Sequence, residues 1–232
     1  MKSEVIITSD FFIAMMEIYL KETAILNYSD SAIQKFVETH TNDMQTETEK
    51  AVALFYAVRD GFLYNPYYIN TDKEELKASK VIERGFGHCI DKASLLIACL
   101  RNANIPARIG LAKVKNHIAT ERLEEYLGSN VLTPHGYVEV WLENSWWKIT
   151  PAFNQGLCEK LGVANLEFNG RNHCLFQEFD EDGSLFMEYL EDYGHFEDIP
   201  IQFIIQNMLE NYPNLRAQNS DGISIDLGML EL

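Results

Sequence analysis

The run IDKASLLIACL, residues 90–100, constrains the fold of this chain more than any other stretch of its sequence. After its first turn the run is apolar on nearly every side, whereas a helix on a protein surface has one apolar stripe and one polar face. A helix with this pattern must be enclosed by other elements. NANIPA then breaks the helix, and ARIGLAKVK has the composition of a strand. The sequence therefore predicts a buried central helix followed by a strand.

Other helices are predicted on both sides of this central helix, and strands after it. Helical patterns cover residues 10–26, 31–40, 51–60 and 76–82 before it, and residues 119–127 and 199–210 after it. Alternation in GYVEVWL, followed by the turn ENS, predicts a β-hairpin over residues 136–151. A second hairpin is predicted where CLFQEF and SLFMEYL flank DEDG, and the chain from Asn219 is predicted to fray.

Two capping-box patterns mark helix starts in the first part of the chain. Thr46 with Glu49 predicts a helix that stops at Gly61, and Thr71 with Glu74 predicts the start of the next one.

The charge of the chain limits its partners. It has 19 Lys and Arg against 35 Asp and Glu, a formal net charge of −16. Affinity for nucleic acid comes largely from cationic side chains that neutralise phosphates, and anionic lipid headgroups attract the same side chains. We therefore expect neither a nucleic-acid partner nor a membrane partner.

The N-terminus and the cysteines indicate the compartment. Glu4, Asp10 and Glu17 interrupt the first apolar stretch and no small-residue cleavage site follows, so it predicts neither a secretory signal nor a membrane span. The four cysteines form no CxxC pair and no dense framework. This usage predicts reduced thiols in the cytoplasm.

Cys89 is the strongest candidate for chemistry. It follows Gly85-Phe86-Gly87 and stands at the start of the predicted buried helix. The unsatisfied N–H groups and partial positive charge of a helix N-terminus stabilise a thiolate, so we expect the pKa of Cys89 to be lowered. The same N–H groups could stabilise the oxyanion that forms when the thiolate attacks an acyl carbon.

A cysteine nucleophile needs a base, and the base needs a group that orients it. His135 begins one strand of the predicted hairpin, and Thr150 ends the other. Residues on adjacent strands lie close enough to touch, so this hairpin could hold a histidine beside its orienting partner.

Motifs in the same order along the chain resemble the transglutaminase-like superfamily, over about residues 47–155. They are Gly87-His88-Cys89 with Ala93 and Leu96, Leu100-Arg101, Ile105-Pro106-Ala107-Arg108, His135 with Val138-Glu139-Val140, and Trp146 followed by Thr150-Pro151. LFYAVRDGFLY fits the helix and tyrosine that usually precede the family's cysteine.

The resemblance implies a papain-like α+β fold, in which the cysteine heads a central helix packed on an antiparallel sheet. From position along the chain, we predict a core over residues 1–155 with helices at its N-terminus, and an α/β extension over residues 156–232 packed on it in one compact domain. The resemblance also implies a Cys-His-Asp triad that acts on acyl groups through a thioester and uses no cofactor. Carried over by position, Cys89 is the nucleophile and His135 the general base.

The third triad position departs from the family, because Thr150 stands where the pattern has Asp before Pro. A hydroxyl can accept the imidazole N–H, but it brings no negative charge to stabilise the imidazolium. Either much catalytic activity is lost or another residue orients the base, and Asn154 is the alternative residue.

Glu139 lies on the same side of the strand as His135, but we rank it below Thr150 and Asn154 as the residue that orients the base. Tyr64 could donate to the oxyanion, although YNPYY is equally well explained as aromatic packing around a turn.

Two hypotheses follow from the sequence. The first is a cysteine enzyme that hydrolyses or transfers the acyl group of a peptide, a protein or a small-molecule amide. The second, motivated by Thr150, is a catalytically impaired domain that serves as a binding or scaffolding protein. No metal is expected, because His88 next to Cys89 has no further ligand spacing around it. Oligomeric state is not predicted.

Overall fold

The computed structural model of the chain describes residues 16–117, 121–212 and 214. The helices are α1 (Ser31–Thr41), α2 (Glu47–Gly61), α3 (Ala78–Arg84), α4 (Cys89–Asn102), α5 (Glu121–Leu127), α6 (Gln155–Leu161) and α7 (Ile201–Asn211). The strands are β1 (Leu63–Tyr64), β2 (Phe86–Gly87), β3 (Ala107–Asn116), β4 (Val131–Leu142), β5 (Ser145–Ile149) and β6 (Met187–Phe196). Within the described part of the chain, no helix is long and apolar enough to cross a bilayer.

The apolar run forms the enclosed helix that the sequence predicts. Residues 90–101 of α4 are all buried, and the helix packs on α1, α2 and α3 on one side and on the sheet on the other. Ile109, Val138 and Val140 of the sheet belong to the same core cluster as the leucines of α4. Because each fully buried aliphatic side chain contributes about 1.5–3 kcal/mol, this helix anchors the core. The result is an α+β fold.

The antiparallel sheet has the strand order β5-β4-β3-β6. The predicted hairpin over residues 136–151 is confirmed as the β4–β5 pair, although β4 begins earlier, at Val131. Glu143 and Asn144 make its turn with φ of 49° and 62°. Two successive positive φ values give a turn whose twist matches that of the strands.

The predicted second hairpin is wrong except at its tip, where Phe179 and Leu185 form an isolated bridge. The segment after this bridge enters β6, which pairs with β3 along its free edge. The segment before it instead places Cys174 beside Ile149, at the end of β5. Pairing with an existing sheet edge satisfies more backbone groups than an isolated hairpin does.

The predicted helix over residues 10–26 is wrong in its last part. Residues before Met16 lie outside the described chain, and helical turns end at Leu20. The next carbonyl, of Lys21, accepts from Nη1 of Arg101 at 2.6 Å. A distant side chain therefore satisfies a backbone carbonyl that a longer helix would have bonded internally. The predicted fraying from Asn219 also lies outside the described residues, as do positions 119 and 120 of the predicted helix that became α5.

The two capping-box predictions have different outcomes. The Thr46–Glu49 box is confirmed: the threonine hydroxyl accepts the Glu49 N–H at 3.1 Å, and the glutamate accepts the Thr46 N–H at 2.9 Å. The predicted box of Thr71 and Glu74 is wrong, because the Glu74 N–H donates to Asp72 Oδ1 at 2.9 Å in a separate turn. Helix α3 begins only after this turn.

Lys92 is the buried cation of the central helix. Its side chain is fully enclosed, and Nζ donates to the carbonyls of Arg59 (2.9 Å), Phe62 (2.8 Å) and Ala152 (2.7 Å). These acceptors use all three ammonium protons and join the end of α2 to the loop that follows β5. Burial lowers the pKa of Lys92 to about 7.

Replacing Lys92 with methionine keeps the apolar stem but leaves three buried carbonyls without a donor. Since each such group costs about 1–3 kcal/mol, we expect Lys92→Met to lower the free energy of unfolding in urea by about 3 kcal/mol or more. Lys80→Met is the matched control, because Lys80 is solvent-accessible beside Glu83 and its loss should have no measurable effect. Equal effects of the two substitutions would contradict the role given to Lys92.

Candidate active site

The start of α4 is closed by a histidine cap. His88 Nδ1 accepts the backbone N–H groups of Ile90 (3.1 Å) and Asp91 (3.2 Å), and the Asp91 carboxylate accepts the His88 N–H at 3.1 Å. The Nδ1 lone pair thus takes the place of the side-chain oxygen that usually caps a helix. The N–H groups of Ile90 and Asp91, which were expected to stabilise an oxyanion, are therefore bonded to this cap. The amide of Cys89 is not part of the cap.

Cys89 is the first residue of α4 and is half-buried. The neighbourhood of the thiol is dense, and burial raises the pKa of Cys89 to about 11. The backbone amides of Gly136, Ile90 and Cys89 itself lower the pKa of the thiol, and Asp91 raises it. The expected lowering of the pKa at the helix start is therefore wrong for this state, because desolvation outweighs the N–H groups.

Strand β4 rests on the start of α4 at Gly136. A Cβ at this position would lie 2.9 Å from Ile90 Cγ1 and 3.0 Å from Ile90 Cα, which is closer than side-chain carbons approach. Only glycine lets the strand backbone come this near to the helix. Since His135 precedes Gly136 and Cys89 precedes Ile90, the contact brings the backbones at the two candidate positions close to each other, and the Cys89 sulfur lies near the Gly136 amide.

His135 is buried and unpaired. Its side chain is almost fully enclosed, and among the described residues neither ring nitrogen has a hydrogen-bond partner. Burial, with a smaller effect of His88, lowers the pKa of His135 to about 4. The imidazole is therefore neutral at physiological pH. Nearly all buried polar groups in proteins are paired, so the unpaired imidazole of His135 calls for an explanation.

Thr150 lies on the same face of the sheet as His135. Continuing the β4–β5 register by one residue places Thr150 opposite Tyr137 and diagonal to His135. Thr150 is buried, and its Oγ1 has no partner within the described chain. Its backbone N–H donates to the carbonyl of Cys174 at 2.9 Å. The threonine is thus near the base without being bonded to it.

Asn154 and Tyr64 are joined to each other. Asn154 Oδ1 accepts the backbone N–H of Tyr64 at 3.1 Å, so this oxygen is occupied and does not reach His135. The Tyr64 ring packs edge-on against Phe153 at 4.8 Å and lines the same pocket as Cys89. Burial, followed by the nearby Cys89, raises the pKa of Tyr64 well above its ordinary value, so its hydroxyl stays a donor.

Glu139 forms a buried ion pair away from His135. Its Oε2 accepts from Arg108 Nε at 2.7 Å and from Arg108 Nη2 at 2.6 Å, and the two residues lie opposite each other on β3 and β4. This pairing explains why an acidic residue on the same side of the strand does not orient the imidazole. Among the described residues, no group of three or more His, Cys, Asp or Glu could hold a metal ion.

Two residues that shape the site, Gly136 and His88, are not among the site residues predicted from the sequence. Gly136 carried no signal beyond being a glycine next to the candidate base. His88 had a place in the Gly87-His88-Cys89 motif but no predicted capping role, since histidine is not among the usual helix-capping residues. Its position directly before a predicted helix was the available clue.

Comparison with known proteins identifies a family match over half of the chain. A family model described as the transglutaminase-like superfamily matches residues 34–151. A search of curated proteins gave no match.

Three solved structures resemble the chain. A candidate cysteine protease from Cytophaga hutchinsonii is 14% identical with a TM-score of 0.46, and the match covers 78% of this chain and 54% of that one. A candidate protease from Parabacteroides distasonis is 18% identical with a TM-score of 0.37, covering 59% and 25%. A structure named as a TGase is 17% identical with a TM-score of 0.37, covering 66% and 36%. This chain therefore spans about half of the first structure's length and less of the other two.

The burial of His135 predicts how stability depends on pH. The folded pKa of about 4 lies below the ordinary value of 6.5, so between these values the unfolded chain binds the proton more tightly. Stability should fall as the pH drops from 6.5 to 4, by about 3 kcal/mol for a shift of this size. Urea denaturation across this range should show a smaller loss for His135→Gln than for the wild type.

His117→Gln is the control for this experiment, because His117 lies outside the buried site, beside Glu188. This variant should lose as much stability between pH 6.5 and pH 4 as the wild type does. Parallel curves for His135→Gln and the wild type would show that the imidazole is not held neutral by burial.

Proposed function

The chain belongs to the transglutaminase-like superfamily, and from this premise we propose that it is a cysteine enzyme that hydrolyses or transfers the acyl group of an amide or related substrate. One observation carries the proposal. The close packing of Gly136 on Ile90 supports it, because it brings the backbone beside the buried, unpaired His135 close to the half-buried Cys89 at the start of α4.

The proposed chemistry begins from two neutral groups. His135 takes the thiol proton as the Cys89 sulfur attacks the substrate carbonyl carbon, and a tetrahedral oxyanion forms. The Cys89 amide and the Tyr64 hydroxyl are the proposed donors to this oxyanion. The C–N bond then breaks, His135 returns the proton to the leaving amine, and a thioester remains on Cys89. Water or a second amine attacks the thioester and restores the thiol.

The neutral Cys89 thiol and the neutral His135 imidazole are the forms that a buried environment favours. Burial disfavours both the thiolate and the imidazolium, so proton transfer is coupled to attack on the substrate instead of preceding it. We place the enzyme in the cytoplasm on the sequence argument about cysteine usage. All four cysteines are free thiols, which supports this placement.

An activated ester tests for the nucleophile. p-Nitrophenyl acetate should acetylate Cys89 and release p-nitrophenol, and intact mass and peptide mapping would locate the acetyl group. His135→Gln should slow acetylation of Cys89 at least tenfold, because general bases contribute about 10²–10⁴ in rate. Cys89→Ala should abolish it. The proposal fails if Cys89 in the wild type reacts no faster than in His135→Gln.

The second candidate function, an impaired domain that binds or scaffolds, is favoured by the unpaired Thr150 hydroxyl. A missing acid at this position would leave His135 without a group to stabilise its charged form. Another observation supports the same candidate: Asn154, the alternative third member, is engaged by the Tyr64 amide.

Restoring the acid separates the two candidates. Thr150→Asp should raise the pKa of His135 and increase the rate at which iodoacetamide alkylates Cys89 at pH 7 by at least tenfold, since orienting carboxylates are worth about 10⁴ in rate in related triads. Thr150→Asn is the matched control, with nearly the same shape and no charge, and should leave the rate close to that of the wild type. Equal rates for both variants would show that the threonine does not limit reactivity, as expected if Asn154 completes the triad.

A further inference from the structure

A small pocket lies beside Cys89. Its volume is about 40 Å³, which holds roughly three water molecules or a short carbon chain. Cys89 forms part of its wall, and the rest comes from separate elements of the fold. These include Leu123 and Leu127 of α5, Met208 of α7, and Tyr212 directly after α7. The C-terminal part of the chain therefore encloses the space next to the thiol.

The pocket is uncharged in a strongly acidic protein. The chain has 35 Asp and Glu and 19 Lys and Arg, yet none of the described residues that line the pocket is one of these four types. Transferring an ionised group into such a space is costly, because no opposite charge compensates for lost hydration. A charged substrate group is therefore excluded from it.

Two polar groups in the wall, on the side formed by β4 and the end of α7, are already paired within the protein. The Tyr212 hydroxyl accepts the Thr133 N–H at 2.6 Å and donates to the Val131 carbonyl at 3.1 Å. Thr133 Oγ1 donates to Asn207 Oδ1 at 2.8 Å. These bonds fix the end of α7 against β4 and leave this side of the pocket with little to offer a polar ligand. The group that fits here is aliphatic.

Met208 separates this pocket from a second one. The second pocket also has a volume of about 40 Å³ and lies further along α4, where Ser94 and Ile204 are among its lining residues. Met208, Ile69, His88 and Ile90 line both pockets and form the partition between them, and Met208 is the unbranched apolar side chain among them. Because methionine is long, unbranched and adaptable, its side chain determines how far a chain can extend beyond the first pocket.

We propose that this pocket binds the acyl side of the substrate, that the group it takes is a short uncharged aliphatic chain, and that Met208 sets the length of that chain. The inference rests on the proposed function, since the space is an acyl site only if Cys89 attacks a carbonyl. Helix α7 lies beyond residues 34–151 that match the family. Met208, the residue proposed to limit the length of the acyl chain, therefore lies outside the matched family core.

Esters of different length test this assignment. Each reaction forms a Cys89 thioester and releases p-nitrophenol, so its rate is read optically and the acyl group is located by mass spectrometry. The wild type should react with p-nitrophenyl acetate at least tenfold faster than with the hexanoate. Met208→Ala joins the two pockets and should reduce this ratio at least tenfold. Leu209→Ala is the control, because Leu209 lines a groove on the outer side of α7 and should keep the wild-type ratio.

Met208→Val removes less side-chain volume than Met208→Ala, so its acetate-to-hexanoate rate ratio should lie between those of the wild type and the alanine variant. The valine variant also provides the test if the alanine variant does not fold. Cys89 acetylation with an unchanged acetate-to-hexanoate ratio in the Met208 variants would overturn the pocket assignment and leave the proposed function standing. Absence of acylation at Cys89 by either ester would overturn both.

Discussion

The contact between Gly136 of β4 and Ile90 of α4 is the constraint on which the candidate site depends. A strand backbone can lie directly on a helix start only where no side chain intervenes, and a Cβ at position 136 would come within 3.0 Å of the helix backbone. The contact fixes where β4 crosses α4. His135 and Cys89 precede the two members of the pair, so their backbones lie close to each other, and the His135 ring nitrogens have no hydrogen-bond partner among the described residues.

Buried polar groups of this protein differ in how they are paired. Two that link elements of the fold are well paired: Lys92 donates to three carbonyls, and Glu139 is bonded to Arg108 across two strands. His135 and Thr150 are equally buried but unpaired. An unpaired buried polar group costs about 1–3 kcal/mol, and a site that binds or transforms a ligand is one place where proteins retain that cost.

The chain adds its own elements to the family core. Strand β6 extends the sheet along β3, and α7 covers the start of β4. The end of α7 is fixed by Tyr212 and Asn207, both of which bond to Thr133, close to the candidate base. The same segment thus completes the fold and forms the wall of the space beside the nucleophile.

The sequence by itself determined the local features. The all-round apolar run required a buried helix, the Thr46–Glu49 pattern supplied a cap, and alternation with the Glu143-Asn144 turn produced the β4–β5 hairpin, because each depends on residues close together in the chain. The candidate residues Cys89 and His135 could also be named from their motifs. Tertiary structure decided what depends on distant groups: β6 left its predicted hairpin for the edge of β3, and the stretch after Leu20 gave up its helix to partners such as Arg101. It also reversed the expected pKa of Cys89, because the helix N-terminus is a local feature, whereas desolvation is the sum of everything packed around the thiol.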